Sequence, residues 1–173
     1  MIWSTIDGVL FALDKFIFIA YFLLLVAAML LQRKVSSFVI TLIVLTVANG
    51  AMTSLSPMLY QYSIQPGVFT KFVWYASFAA IDMLAVFLLF KFHQLLKQNV
   101  GFIANLVGLY FVTFAMLQTL RFVDRYVLNT ELLQQVYQHA IPALNLVLVP
   151  IILICWVSEM RLNQLYVKAG MTR

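Results

Sequence analysis

Residues 70–93 read TKFVWYASFAAIDMLAVFLLFKFH, and this stretch decides the fold because it is apolar over the length of a membrane-spanning helix. A helix crosses the hydrocarbon core of a bilayer with roughly 20 consecutive, mostly apolar residues. Lys71 and Lys91 bracket the stretch and suit the two membrane surfaces. One carboxylate, that of Asp82, interrupts it near the middle, where an ionised side chain costs about 2.5–3.5 kcal/mol.

The composition of the whole chain agrees with a membrane protein. Of the 173 residues, 64% are hydrophobic and 10% are charged, whereas about 25% of the residues in a soluble domain are charged. The net charge of +5 does not indicate a nucleic-acid-binding protein, because the basic residues stand singly or in pairs at the ends of apolar runs. The single cysteine, Cys155, excludes an intrachain disulfide and a cysteine-based metal site.

Four further stretches share this length and apolarity, so the sequence predicts an all-α fold, a bundle of five transmembrane helices. The predicted helices cover residues 9–31, 37–60, 70–92, 102–122 and 135–157. The connections are too short for an extramembrane domain, so residues 1–157 are expected to form one transmembrane domain. Residues 158–173 alternate apolar and polar side chains at helical spacing, which predicts a short amphipathic C-terminal helix outside the bilayer.

The distribution of lysine and arginine predicts the orientation, because cytoplasmic loops carry an excess of these residues. One side of the predicted bundle receives Arg33, Lys34, Lys91, Lys97, Arg161, Lys168 and Arg173. The other side receives only Lys15, Lys71, Arg121 and Arg125. The richer side is expected to be cytoplasmic, which places the N-terminus outside and the C-terminus inside, in the inner (plasma) membrane of a bacterium.

The carboxylate in the middle of the third helix requires a partner, a proton or water. Lys71, Asp82 and His93 are 11 residues apart, almost three helical turns, so they lie on one line along this helix. We interpret this line as a route for an ion or a proton. The predicted ion or proton site consists of Asp82, Tyr75, Asn49 and Asn145, and the predicted inner exit is His93. The alternative is a structural aspartate that is hydrogen-bonded to a neighbouring helix.

Polar side chains are concentrated in the halves of the helices that the predicted topology places outside. In the second and fifth helices they recur at spacings of three and four, so they share one face. This asymmetry predicts an outward-facing, water-filled vestibule above Asp82, closed below by apolar side chains. The predicted lining consists of Thr53, Gln118, Arg121, Arg125, Gln138 and His139. The alternative is that the small polar residues hold the helices together.

Arg121 and Asp124 are three residues apart on a predicted helix and are expected to form a local ion pair. This pair leaves one arginine for an anionic ligand, a lipid headgroup or Glu131. No catalytic residue, metal site or cofactor is predicted. His93 and His139 should lie near opposite faces and could not share a haem.

These features favour a small channel or transporter with Asp82 as its central site, rather than an enzyme. A homo-oligomer is expected because five helices leave little room for a pore. The first alternative is a non-catalytic membrane subunit that docks a cytosolic protein through its C-terminal tail. The second is an intramembrane enzyme that acts on a lipid. The expected partners are therefore the lipid bilayer, further copies of the chain and a cytosolic protein, but not nucleic acid.

Overall fold

In the computed structural model, the backbone is described for residues 2–32 and 35–168, and the side chains for residues 13–32, 35–158, 160 and 161. The described residues form five α-helices: α1 (Ile2–Gln32), α2 (Ser37–Ser63), α3 (Val68–Leu95), α4 (Phe102–Tyr126) and α5 (Gln134–Lys168). Each contains a segment that is long and apolar enough to cross a membrane. The prediction of an all-helical chain with five such helices is confirmed, and this architecture fits a membrane protein.

All five helices are longer than the hydropathy of the sequence predicts, and the difference is largest for α1 and α5. Helix α1 begins at Ile2 rather than near residue 9, and α5 continues past residue 157 to Lys168 without a break. No proline or glycine lies between Pro150 and Gly170, so no residue there interrupts the helix. A separate short C-terminal helix is therefore not supported. The last part of the predicted amphipathic tail, residues 169–173, lies outside the described residues.

Helices that follow one another along the chain pack side by side, and α5 closes the bundle by contacting both α4 and α1. Helix α2 also contacts α4 across the bundle. The connections α1–α2 and α3–α4 lie at one end of the bundle, which we call the α1–α2 end. The connections α2–α3 and α4–α5 lie at the opposite end, which we call the α2–α3 end.

Helices α2 and α4 form the centre of the bundle, because about half of the side chains in their most apolar segments are buried. In α1, α3 and α5 the buried share is below one third, so these helices expose most of their apolar surface. Large apolar side chains such as Leu30, Phe87 and Ile154 point outward. An apolar exterior of this extent suits contact with lipid tails rather than with water.

Glycine permits the close approach of α1 and α2 at one point. A Cβ atom at Gly50 would lie 2.9 Å from Cε2 of Phe18. In α4 a Cβ atom at Gly108 would lie 3.4 Å from the ring of Phe90 in α3. Small residues at such crossings let two helix backbones approach and gain van der Waals contact.

Candidate functional site

Asp82 lies in the middle of α3, a helix of 28 residues, and its side chain is almost completely enclosed, with 1% of its surface exposed. Its Oδ1 atom has no hydrogen-bond partner among the described residues. Burying a charged oxygen without a partner is costly. Such a carboxyl group is compatible with a folded protein when it binds a proton or a cation, or when water reaches it.

Polar side chains from α1, α3 and α5 lie near the Tyr110 hydroxyl of α4. The Tyr110 hydroxyl in α4 is within electrostatic range of Asp82, Tyr21 and Asp14, and it donates a 2.5 Å hydrogen bond to Oδ1 of Asn145 in α5. The Tyr21 side chain in α1 is fully buried, and its hydroxyl has no partner among the described side chains. We call Asp14, Tyr21, Asp82, Tyr110 and Asn145 the Asp82 cluster. Four of the five helices therefore contribute to one polar region inside an apolar bundle.

The hydrogen bond between Tyr110 and Asn145 ties α4 to α5, and its removal gives a testable prediction. Tyr110→Phe is expected to lower the free energy of unfolding by about 1 kcal/mol, because it removes the bond and leaves the Asn145 amide oxygen without its donor. The loss is measured by reversible unfolding in mixed detergent micelles, monitored by circular dichroism. Tyr62→Phe is the control, since Tyr62 is exposed. Equal effects of the two substitutions would contradict the prediction.

The two remaining predicted members of the ion or proton site, Asn49 and Tyr75, have their contacts outside this cluster. Asn49 is buried in α2, and its Nδ2 atom donates a 3.3 Å hydrogen bond to the Leu45 carbonyl of its own helix. Tyr75 is two turns from Asp82 along α3, about 10 Å. Its ring packs among aromatic rings near the α2–α3 end, those of Phe122, Tyr126 and Tyr137. Asn145 is thus the one other predicted member that belongs to the Asp82 cluster.

The predicted vestibule residues differ in burial and do not line one common space. Gln118 and Arg121 are buried, and Gln118 accepts a 2.8 Å hydrogen bond from the Tyr137 hydroxyl. Thr53 is half-buried on α2. The remaining three side chains are exposed, namely those of Arg125, Gln138 and His139. The buried members fill space between the helices, whereas the exposed members face the surroundings of the bundle.

A buried ion pair organises the connection between α4 and α5. Nη1 of Arg121 lies 2.7 Å from Oδ2 of Asp124, as the spacing of these residues predicts. The Asp124 carboxylate also accepts a hydrogen bond from the Thr130 hydroxyl and a 3.2 Å hydrogen bond from the Leu133 backbone amide. Leu133 immediately precedes α5, so the carboxylate satisfies one of the free amides at the start of that helix.

His93, the predicted inner exit, is enclosed at the α1–α2 end and joins three helices. Its Nδ1 atom lies 2.7 Å from the Leu89 carbonyl oxygen, which can only accept, so Nδ1 carries the proton. Nε2 and the Ser37 hydroxyl lie 2.8 Å apart and form a second hydrogen bond. The same hydroxyl oxygen accepts a 3.1 Å hydrogen bond from the Gly101 amide. The side chain thus connects the end of α3 to the beginnings of α2 and α4.

This connection predicts that Ser37 and His93 stabilise the bundle as a pair. Ser37→Ala and His93→Ala are each expected to lower the free energy of unfolding by about 1–3 kcal/mol, because each leaves a buried partner unsatisfied. The double variant should lose less than the sum of the two. Unfolding in mixed micelles measures all three, and Gln94→Ala at a neighbouring exposed position is the control. Strictly additive losses would show that the two side chains act independently.

The sequence analysis named Asp82 and Asn145 as site residues but did not name Tyr21, Tyr110 or Asp14. Tyrosine is common near membrane surfaces, so neither tyrosine stands out in an apolar helix. The available signal for Asp14 is that it is the first acidic residue inside the apolar run of α1.

Comparison of the chain with models of protein families, with curated proteins and with solved structures gives no match.

Proposed function

We propose that the chain is a small membrane transporter or channel in which Asp82 binds a proton or a cation. The observation that carries this proposal is the buried Oδ1 atom of Asp82, which has no hydrogen-bond partner among the described residues. Ionisable side chains within spanning helices are rare and mark routes for ions and protons. An oxygen atom without a partner can accept a proton or a cation without the loss of an existing hydrogen bond.

The other members of the Asp82 cluster supply the oxygen atoms that such a site requires. The Tyr21 hydroxyl can donate to a carboxylate, since it has no partner among the described residues. The hydroxyl oxygens of Tyr21 and Tyr110 can also coordinate a small cation, because hard cations prefer oxygen ligands. Asp14 precedes Tyr21 by two turns of α1 and therefore lies nearer the α2–α3 end. It offers a second carboxylate between Asp82 and that end of the bundle, which supports a stepwise route.

Helix α5 is the element that we propose to open this route. Among the described side chains of α5, none before Leu148 is fully buried, and the fully buried ones are Leu148, Ile152 and Trp156. Pro142 and Pro150 each remove a backbone hydrogen bond from the helix and favour bending there. A movement of the first half of α5 would carry Asn145 away from Tyr110 and expose the Asp82 cluster.

We place the α2–α3 end outside and the C-terminus in the cytoplasm of a bacterial cell, on the basis of the lysine and arginine distribution. A homo-oligomer accounts for a polar face on α5. Gln135, Gln138 and His139 are exposed and share one side of the helix at spacings of three and four. A second copy that covers this face would supply hydrogen-bond partners to these side chains across the interface.

Modification by a hydrophobic carbodiimide tests the central proposal, because this reagent reacts with carboxyl groups that are protonated within a membrane. In reconstituted liposomes we expect an adduct on the peptide that contains Asp82, detected by mass spectrometry. Protection by Na⁺ or K⁺ would identify a cation site, and loss of labelling only at alkaline pH would identify a proton site. An unmodified Asp82, together with H⁺, Na⁺ and K⁺ fluxes equal to those of protein-free liposomes, would refute the proposal.

The exposed polar face of α5 also favours a second function, that of a non-catalytic subunit whose α5 is covered by a different protein. His139→Cys in a Cys155→Ala background places a single thiol on this face. Cross-linking in native membranes should give a product with twice the mass of the chain if a second copy covers the face. A product that contains another polypeptide, with no dimer, would favour the subunit.

A further inference from the structure

A cleft at the α2–α3 end lies apart from the Asp82 cluster. It has a volume of about 240 Å³ and lies between the end of α2, the first half of α3 and the end of α4. Its walls combine aromatic rings with two cations, contributed by Tyr60, Trp74, Tyr75, Tyr126, Lys71 and Arg125. None of the described side chains that line it is acidic. The cleft therefore combines positive charge with apolar ring surfaces.

The acidic group beside the cleft does not neutralise Arg125. Asp124 precedes Arg125 in the chain, but its carboxylate is bonded to Arg121, Thr130 and the Leu133 amide. Arg125 is exposed, and its guanidinium lies 5.5 Å from the centroid of the Tyr126 ring. Arg125 also has the Tyr75 side chain as a hydrogen-bond partner. A guanidinium has five N–H donors, so others remain for a ligand in the cleft.

Lys71 is held in place by the end of α2. Its ammonium group donates hydrogen bonds to the Ser63 carbonyl and, at 2.9 Å, to the Gln65 carbonyl. Carbonyl groups anchor the ammonium but do not remove its charge. An ammonium has three donors, so one N–H remains for a ligand in the cleft. Lys71 therefore contributes a fixed positive charge rather than a flexible surface lysine.

The aromatic walls are also fixed, because the rings pack against one another. Tyr60 and Trp74 meet edge to face at a centroid distance of 6.2 Å, and Trp74 packs on Phe78 at 4.8 Å. Tyr75 lies 6.4 Å from Tyr126 on the opposite side. Aromatic residues at the ends of spanning helices lie at the level of the lipid headgroups. The cleft is thus placed where a molecule with a polar group and an apolar part would reside.

We propose that this cleft binds a phosphate-bearing amphipathic molecule, with the phosphate between Arg125 and Lys71 and the adjoining carbons against the aromatic rings. A guanidinium binds phosphate through two parallel hydrogen bonds, and an ammonium adds a point charge. The volume lies below the range of about 300–1,000 Å³ that is typical of sites for drug-sized ligands. It accommodates a phosphate with a few carbons and leaves acyl chains outside. The proposal does not depend on the role of Asp82.

Binding of three probes to the delipidated full-length protein in a neutral detergent tests the proposal. The probes are phosphatidylglycerol, a neutral galactolipid with the same acyl chains, and water-soluble glycerol 3-phosphate. Native mass spectrometry counts the bound lipids, and a lipid titration gives the affinity. We expect the protein to prefer phosphatidylglycerol to the galactolipid, and Arg125→Gln to weaken phosphatidylglycerol binding about tenfold or more. Arg125→Lys, which keeps the charge but loses the planar fork, should give an intermediate affinity.

Lys91→Gln is the matched control, because Lys91 is an exposed lysine of α3 at the α1–α2 end. This variant should bind phosphatidylglycerol like the unaltered protein. Displacement of the lipid by glycerol 3-phosphate would identify the phosphate itself as the group that is recognised, and a lack of displacement would identify a membrane lipid as the source. An affinity for phosphatidylglycerol that is unchanged in Arg125→Gln, or equal binding of the galactolipid, would overturn the proposal.

Discussion

Asp82→Asn is expected to reduce ion flux to the level of protein-free liposomes while the five-helix bundle still assembles. Asparagine has almost the same size and shape as aspartate, so packing in the middle of α3 is preserved. It cannot release a proton and has no negative charge with which to hold a cation. Flux is measured in proteoliposomes with trapped dyes that respond to H⁺, Na⁺ and K⁺, at equal protein content.

Assembly of the Asp82→Asn variant is followed by gel filtration and by its melting temperature. The variant should melt at the same or a higher temperature, because its buried side chain needs neither a proton nor a cation to remain neutral. Thr46→Val is the matched control, since Thr46 is also buried and its hydroxyl has no partner among the described residues, but it cannot titrate. Flux through Thr46→Val should be unchanged. An Asp82→Asn variant that fails to assemble would identify Asp82 as a structural residue.

The five-helix fold could be predicted from the sequence because it depends on the length of each apolar run. Each helix needs an apolar run that matches the thickness of a bilayer, and the five runs are separated by short polar connections. The ends of α1 and α5 could not be predicted in the same way. Hydropathy reports where the apolar run stops, whereas a helix ends where a residue interrupts the backbone hydrogen bonds. Between Pro150 and Gly170 no such residue exists.

The candidate site could be predicted only in part. A lone carboxylate in an apolar helix is visible in any hydropathy profile, which is why Asp82 stands out. Which side chains of other helices meet it depends on how each helix is rotated, and a single sequence with broad apolar faces does not determine that rotation. Tyr110 and Tyr21 were missed for this reason. Tyr75 and His93 do share the buried face of α3 with Asp82, but their contacts are an aromatic cluster and the Ser37 hydroxyl.

Local pairs were easier to predict than contacts across the bundle. Arg121 and Asp124 are three residues apart on one helix, so the helix geometry alone brings them together. The sequence did not reveal that the Asp124 carboxylate also accepts hydrogen bonds from the connection between α4 and α5. Its bonds to Thr130 and to the Leu133 amide are set by the path of the α4–α5 connection.

Asp124→Ala is therefore expected to cause the largest loss of stability among the substitutions considered, a decrease in melting temperature on the order of 5–10 °C. It leaves the buried Arg121 guanidinium without its counter-ion and removes the acceptor for Thr130 and Leu133 at once. Arg121→Met should cost less, because the carboxylate keeps its two other partners. Scanning fluorimetry in detergent gives the ranking, and Glu131→Ala, at an exposed position of the same connection, should melt like the unaltered protein.

The same substitution links the ion pair to the proposed movement of α5. Without its bond to Asp124, the Leu133 amide loses the acceptor that holds the beginning of α5 to the end of α4. No described side chain of α5 before Leu148 is fully buried. This part of the helix is held by the contacts of Tyr137 with Tyr75 and Gln118 and by the hydrogen bond from Tyr110 to Asn145. It therefore gains less from packing than the part of α5 that follows. Amide hydrogen exchange should therefore increase in residues 134–145 of Asp124→Ala and remain unchanged in the second half of α5. Uniformly increased exchange along α5 would instead indicate that the helix is held as one rigid unit, and the proposed opening near Asn145 would then be wrong.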